Sequence, residues 1–153
     1  MHHELILILD FGSQYTQLIA RRVREQGVYC EIVPFHQSLE RILEKNPKGV
    51  ILSGGPNSVY EEDAPKVGGG FYERIDAPIL GICYGMQLLA KDLNGNVSPS
   101  ERHEYGHAKL KVLSGQTQLF QNLPFELDVW MSHGDHVVGL PAGFHTTATT
   151  GDV

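Results

Sequence analysis

Five consecutive apolar residues, Leu5-Ile6-Leu7-Ile8-Leu9, precede Asp10 and give the clearest indication of the fold. No polar residue interrupts these five apolar residues, a pattern typical of a β-strand that is covered on both faces. Strands of this kind lie at the centre of parallel sheets. We therefore predict a central strand here, followed by a loop at Asp10-Phe11-Gly12-Ser13.

Helical and strand patterns alternate after this strand. The predicted elements are a helix at Tyr15–Gln26, a strand at Tyr29–Val33, a helix at Leu39–Lys45, strands at Gly49–Leu52 and Pro78–Ile82, and a helix at Tyr84–Leu93. In the first helix, Leu18, Ile19 and Val23 are expected to form the buried face. The order predicts an α/β fold with a flavodoxin-like core, a mostly parallel twisted sheet with helices on both faces. Sites in such sheets lie at the carboxyl ends of the strands.

The second half of the chain has a different pattern. From Tyr105 to Leu113, polar and apolar residues alternate with a period of two, which predicts a half-exposed strand in a small antiparallel extension. Further strands are predicted at Leu127–Met131 and His145–Thr150. We interpret Ser132–Asp135 as part of the connection between them and Trp130 as a core residue.

Length and composition exclude several classes of protein. The chain has 153 residues, of which 41% are hydrophobic, and this fits one globular domain. A formal net charge of −6, without a basic run, argues against a nucleic-acid partner. No apolar run reaches the length of a membrane-spanning helix, and the first residues do not resemble a secretory leader. We expect a cytoplasmic protein that binds no membrane.

The strongest chemical signal is Gly81-Ile82-Cys83-Tyr84-Gly85, which is typical of a nucleophile elbow between a strand and a helix. The sharp turn exposes the nucleophile, and the glycines allow strand and helix to approach closely. A helix N-terminus should favour the thiolate of Cys83. The Tyr84 N–H and a donor from Gly54-Gly55-Pro56 would stabilise an oxyanion. The alternative for Cys83 is a small buried side chain, and Cys30, which has no elbow, is interpreted in that way.

Two other kinds of site are disfavoured. The segment Ser53–Ser58 resembles a pyrophosphate-binding loop, but Asn57 replaces its aspartate and Pro56 has no N–H to donate. His103, His107, His133 and His136 show no closed set of metal ligands, so we expect no metal site.

Five segments together resemble the class I glutamine amidotransferases, and in particular the glutaminase domains of GMP synthetases. They are Asp10–Gln17 with Ala20–Arg24, Leu52–Pro56, Gly81–Gln87, Glu104–Gly106 and Trp130–Asp135. The resemblance extends over nearly the whole chain. The first and last segments point to the GMP branch of the family.

The resemblance implies a reaction and a set of site residues. Cys83 would attack the side-chain amide of glutamine, form a γ-glutamyl thioester and release ammonia for the amination of XMP to GMP. Gly55 and Tyr84 would form the oxyanion hole. The residues implied to bind glutamine are Gln87, Ser132, His133, Gly134 and Asp135. The implied partner is the synthetase domain, where ATP and Mg²⁺ would act, and this domain would need no cofactor.

One feature of the family is not found. Its general base is a histidine in an H-P-E motif, and none of the eight histidines here lies in such a motif. We therefore expect residues 1–153 to be a glutamine amidotransferase domain truncated before its catalytic His and Glu, without the synthetase domain. Such a chain would be impaired in turnover and open to self-association into a homo-oligomer. The alternatives are a related γ-glutamyl hydrolase and a non-catalytic docking or regulatory module.

Overall fold

The computed structural model describes residues 4–113 and 117–150, and the side chains of residues 100–104 and 133 lie outside that description. The chain divides into two compact units, the first ending at Asp92 and the second beginning at Leu93. In the described ranges, no helix has the length and apolar character needed to cross a membrane.

The first unit is a four-stranded parallel sheet with helices between its strands. Its elements are β1 (Leu5–Asp10), α1 (Thr16–Glu25), β2 (Tyr29–Pro34), α2 (Leu39–Glu44), β3 (Gly49–Leu52), α3 (Phe71–Arg74), β4 (Ile79–Gly81) and α4 (Tyr84–Asp92). Apart from α3, every element was predicted to within one residue at each end. The predicted α/β fold is confirmed.

The strand β1 lies inside this sheet, whose order is β2-β1-β3-β4. Leu7, Ile8 and Leu9 are fully buried, so both faces of β1 are covered as predicted. On one face, Ile8 packs with Ala20 of α1 and Cys30 of β2. The packing role predicted for Cys30 is thereby confirmed.

One detail of α1 differs from the expectation. The buried residues of this helix are Thr16 and Ala20, with Ile19 and Val23 partly buried beside them. The side chain of Leu18 is 45% exposed, so its predicted place on the buried face is wrong. It lies two residues from both Thr16 and Ala20, which on a helix turns it to the opposite side.

The chain reverses its direction across the sheet between β1 and β3. From β1 it passes through α1 to β2 on one side, and from β3 it continues to β4 on the other side. Right-handed crossovers then place α1 and α2 on opposite faces of the sheet. The carboxyl ends of β1 and β3 therefore form the topological switch point, where open α/β sheets bind their ligands.

The second unit is a three-stranded antiparallel sheet of order β6-β5-β7. Its elements are β5 (Asn96–Val112), a 3₁₀ turn at Gln118–Phe120, β6 (Glu126–Gly139) and β7 (Ala148–Thr149). The predicted antiparallel extension is confirmed, although β5 and β6 are longer than predicted and β7 is shorter.

Two predictions for β6 are wrong. Ser132–Asp135 is not a connection, because β5 is long enough to pair with it: Tyr105 lies opposite Ser132, and Pro99 lies opposite Asp135. Trp130 is not a core residue, because its side chain is 77% exposed. It lies opposite His107, on the face of the sheet that carries the charged side chains.

Candidate active site at a strand-to-helix elbow

Cys83 joins the end of β4 to the start of α4 in a strained backbone conformation. Its φ is 49°, in the left-handed region that side-chain-bearing residues seldom adopt. The residue is exposed and forms no disulfide. This is the conformation expected of a nucleophile elbow, which presents its side chain at the carboxyl edge of the sheet.

The two glycines of the elbow allow backbone segments to approach closely. A β-carbon at Gly81 would lie 2.6 Å from the Cα of Met86, and one at Gly85 would lie 2.3 Å from the carbonyl oxygen of Leu52. Both distances are shorter than real β-carbons tolerate. The glycines are therefore required for β3, β4 and α4 to pack as they do.

Backbone hydrogen bonds attach the elbow to the end of β3. The Ile82 N–H donates to the Leu52 oxygen, with an N···O distance of 3.0 Å. The Gly85 N–H donates to the Ser53 oxygen, with an N···O distance of 3.1 Å. The Gln87 N–H donates to the Cys83 oxygen over 3.1 Å, which is the first helical hydrogen bond of α4. The Tyr84 N–H precedes that bond and belongs to the first helical turn, where N–H groups have no acceptor within the helix.

The loop after β3 passes directly beside Cys83. A β-carbon at Gly54 would lie 3.5 Å from the Cβ of Cys83, and one at Gly55 would lie 2.5 Å from the carbonyl oxygen of Phe11. Gly55 can therefore lie against the loop after β1 only because it has no β-carbon, whereas a β-carbon at Gly54 would make an ordinary van der Waals contact with Cys83. The use of the Gly55 and Tyr84 N–H groups as an oxyanion hole stays a prediction.

Although Cys83 as a whole residue is exposed, partial desolvation of its sulfur raises the pKa of the thiol above its ordinary value. The shift is opposite to the lowering expected from the helix terminus, because the neighbouring loops desolvate the sulfur. A raised pKa favours the thiol over the thiolate. A reaction at this sulfur needs a group that accepts its proton.

The side chain of Tyr84 holds the loop that follows β3. Its buried ring lies 5.5 Å from the ring of Phe11, between centroids, and its hydroxyl donates to the carbonyl oxygen of Pro65. Burial raises the pKa of this hydroxyl to about 12, so it stays a donor at neutral pH. Gln87, one turn along α4, is 5% exposed, and its predicted contact with glutamine stays a prediction.

The sequence analysis did not identify Ser53, whose side chain connects the loop after β1 to the loop after β3. The Ser53 hydroxyl accepts the Phe11 N–H over 3.0 Å and donates to the Gly54 carbonyl oxygen over 2.9 Å. The residue has no exposed surface. A polar residue directly after the apolar strand β3 was the signal that could have identified it.

The other residues predicted to bind glutamine lie in the second unit. Ser132, Gly134 and Asp135 belong to β6, and the backbone of His133 pairs with Glu104 of β5. The side chain of His133 is outside the described part of the structure. Their part in the site therefore stays a prediction.

His107 belongs to a surface charge cluster on the antiparallel sheet. His107 Nε2 lies 2.6 Å from Asp128 Oδ1, and Lys109 Nζ lies 2.8 Å from the same oxygen. These hydrogen bonds lower the pKa of Asp128, that from Lys109 most strongly. Among the side chains that the structure describes, those of residues 4–99, 105–113, 117–132 and 134–150, no three of the usual metal-binding types come together.

Comparison with known proteins places these features in a family. The family model described as glutamine amidotransferase class-I matches residues 7–153. Proteins named GMP synthase [glutamine-hydrolyzing] from Sulfurimonas denitrificans and Nitratiruptor sp. are 55% and 57% identical to the chain. The matches cover 95% of this chain but only 28% of either relative.

A solved structure agrees over almost the whole chain. A Thermoplasma acidophilum protein described as a subunit of GMP synthase has a TM-score of 0.87 and 33% identity. The match covers 99% of this chain and 75% of that one. A glutamine amidotransferase from Thermotoga maritima follows with a TM-score of 0.73 and 26% identity, over 99% of this chain and 69% of its own.

Proposed function

Because this chain belongs to the class-I glutamine amidotransferase family, we propose that it is the glutamine-hydrolysing part of a GMP synthase. Relatives of that name at 55% and 56% identity support the GMP branch. The observation that carries the chemistry is the exposed Cys83, held at φ 49° beside Gly54.

The proposed reaction begins at the sulfur of Cys83. As a thiolate, it adds to the side-chain amide carbon of glutamine, and the N–H groups of Gly55 and Tyr84 stabilise the oxyanion that forms. Collapse of this intermediate breaks the carbon–nitrogen bond, and the nitrogen leaves as ammonia after taking up a proton. Water then attacks the γ-glutamyl thioester, releasing glutamate and restoring the thiol. Gln87 is proposed to contact the substrate.

The proposed reaction needs a base and an acceptor for the ammonia. Burial raises the pKa of Cys83, so a neighbouring group must take the thiol proton before attack. The chain spans 28% of the length of the GMP synthase relatives. We assign the family's H-P-E histidine, and the amination of XMP with ATP and Mg²⁺, to the part of those proteins that this chain does not span.

The first test separates the use of glutamine from the use of ammonia. In the full-length protein, Cys83→Ala should abolish GMP formation from glutamine, because no thioester can form. GMP formation from added ammonium should stay within about twofold of the wild-type rate, because the amination step does not use this sulfur. Steady-state rates with each nitrogen source check both statements.

The second cysteine of the chain supplies the matched control. Cys30 is buried and donates to the carbonyl oxygen of Ala20, on the face of the sheet that packs against α1. Cys30→Ala should therefore keep glutamine-dependent GMP formation. Glutamine-dependent activity that survives in Cys83→Ala, or loss of both activities in that variant, would contradict the proposal.

A further inference from the structure

Ser53 is the residue in which the loops of the candidate site meet. It follows β3 directly and has no exposed surface. Its backbone N–H donates to the Leu9 oxygen at the end of β1, and its carbonyl oxygen accepts the Gly85 N–H of the elbow, each over 3.1 Å. Ser53 is thus fixed from both sides by backbone hydrogen bonds.

The side chain of Ser53 adds two further hydrogen bonds. Its Oγ accepts the Phe11 N–H over 3.0 Å, which orients the lone pairs and hydrogen of the hydroxyl. The same Oγ donates to the Gly54 carbonyl oxygen over 2.9 Å. The hydroxyl therefore connects the loop after β1 to the peptide between Gly54 and Gly55.

That peptide contains both the acceptor of the Ser53 hydroxyl and a proposed oxyanion donor. The Gly54 C=O and the Gly55 N–H belong to one planar trans peptide, so they point in opposite directions. A hydrogen bond to the carbonyl oxygen consequently fixes the direction of the N–H. Between two glycines this restraint matters, because residues without a β-carbon rotate through both halves of φ space.

We propose that Ser53 is a positioning residue whose hydroxyl holds the Gly54–Gly55 peptide with the Gly55 N–H turned toward the carbonyl group bound at Cys83. This inference rests on the proposed function, since it assigns a role within glutamine hydrolysis. The restraint acts whenever charge develops on the carbonyl oxygen, in the formation of the thioester and in its hydrolysis. It has no part in reactions of Cys83 that form no oxyanion.

Two reactions of the same sulfur separate this role from a merely structural one. Glutamine hydrolysis passes through a tetrahedral oxyanion, so it depends on the orientation of the Gly55 N–H. Iodoacetamide alkylates the thiolate by displacement at a saturated carbon, and no oxyanion forms at the protein. A change confined to the Gly54–Gly55 peptide should slow the first reaction and leave the second unchanged.

The experiment compares the two rates in the full-length protein. Ser53→Ala should lower kcat for glutamine hydrolysis by about 10- to 100-fold, less than outright removal of an oxyanion donor, because the freed peptide still samples the productive orientation. The KM for glutamine and the alkylation rate of Cys83 should each stay within about twofold of wild type. Ser53→Thr, which retains a hydroxyl, should recover most of kcat.

A matched control removes a hydroxyl from the same loop. Ser58 is partly exposed and accepts the Tyr60 N–H over 3.4 Å. Ser58→Ala should leave kcat, KM and the alkylation rate within about twofold of wild type. If Ser53→Ala does not fold, Ser53→Cys keeps the shape of the side chain and weakens the donor, at the cost of a slightly larger atom. Peptide mass spectrometry then counts label on Cys83 alone, and the same selective fall in kcat is expected.

Two results would overturn the positioning role. One is an equal fall in kcat and alkylation rate, which would mean that Ser53 only holds the site together. The other is an unchanged kcat in Ser53→Ala. Failure of the proposed function itself would look different, because the wild-type protein would then not hydrolyse glutamine, or Cys83→Ala would still do so.

Discussion

At the scale of single residues, the elbow combines strain with close packing. A side-chain-bearing residue at φ 49° costs about 1–3 kcal/mol, and Cys83 keeps this conformation because its neighbours are fixed on both sides. The Ile82 and Gly85 N–H groups bond to the end of β3. The position of the sulfur is therefore set by β3 as well as by the elbow sequence.

Gly85→Ala should disrupt that arrangement. The added β-carbon would lie 2.3 Å from the Leu52 carbonyl oxygen, and neither backbone can yield without moving β3 or α4. We expect a loss of about 3 kcal/mol in the free energy of unfolding, at the upper end of overpacking effects. Chemical denaturation followed by circular dichroism measures it.

Gly68→Ala is the matched control for this prediction. No atom lies within 4 Å of a β-carbon at Gly68, so the free energy of unfolding should change by less than about 1 kcal/mol. A Gly85→Ala protein as stable as this control would show that α4 does not pack against β3 as described.

The residues of the elbow were predictable from sequence, whereas the protonation of Cys83 was not. Gly81 and Gly85 flank the nucleophile in a recognisable pattern, and their role follows from the absent β-carbon. The pKa of the thiol depends on which loops desolvate the sulfur. That depends on contacts between segments distant in sequence, such as Gly54 with Cys83.

At the scale of elements, α4 holds the long loop between β3 and α3. The Tyr84 hydroxyl donates to the Pro65 oxygen, and Lys91 Nζ donates to the Val59 oxygen. The same ammonium group lies 4.8 Å from the centre of the Tyr60 ring, within the range of a cation–π interaction. One helix thus positions both the nucleophile and the loop beside it.

Lys91→Met should loosen this loop while preserving the apolar stem of the side chain. Loss of the hydrogen bond and the cation–π contact should cost about 1–2 kcal/mol. Amide hydrogens of residues 53–70 exchange when the loop opens locally, so a loss of this size should make them exchange roughly tenfold faster. Lys48→Met, at an exposed lysine before β3, should leave these rates unchanged. Equal protection of the loop in the two variants would contradict the anchoring role of α4.

The elements that escaped prediction were those set by contacts between distant segments. The helix α3 has four residues and follows a run of glycines, so no periodic pattern could develop. In β6, Ser132–Asp135 has the composition of a turn, yet pairing with β5 keeps it extended. Trp130 is hydrophobic, yet it shares the exposed face of β6 with Asp128, so its position in the strand and not its hydrophobicity determines its exposure.

At the scale of the whole molecule, the order of the strands explains where the chemistry lies. The direction of the chain across the sheet reverses between β1 and β3, so the carboxyl ends of these two strands are neighbours. Cys83 follows β4, which pairs with β3. The same strand order explains why the loop that carries Phe11 lies beside the loop that carries Ser53 and Gly54. The proposed nucleophile and the proposed oxyanion donors, Gly55 and Tyr84, therefore lie at one edge of the sheet of the first unit.

The most direct test of this account is to identify the residue that carries the γ-glutamyl group. The full-length protein is quenched in acid during turnover of glutamine, and its peptides are examined by mass spectrometry. A γ-glutamyl adduct is expected on the peptide that contains Cys83 and none on the peptide that contains Cys30. An adduct on a different residue, or continued hydrolysis of glutamine with Cys83 never acylated, would contradict it.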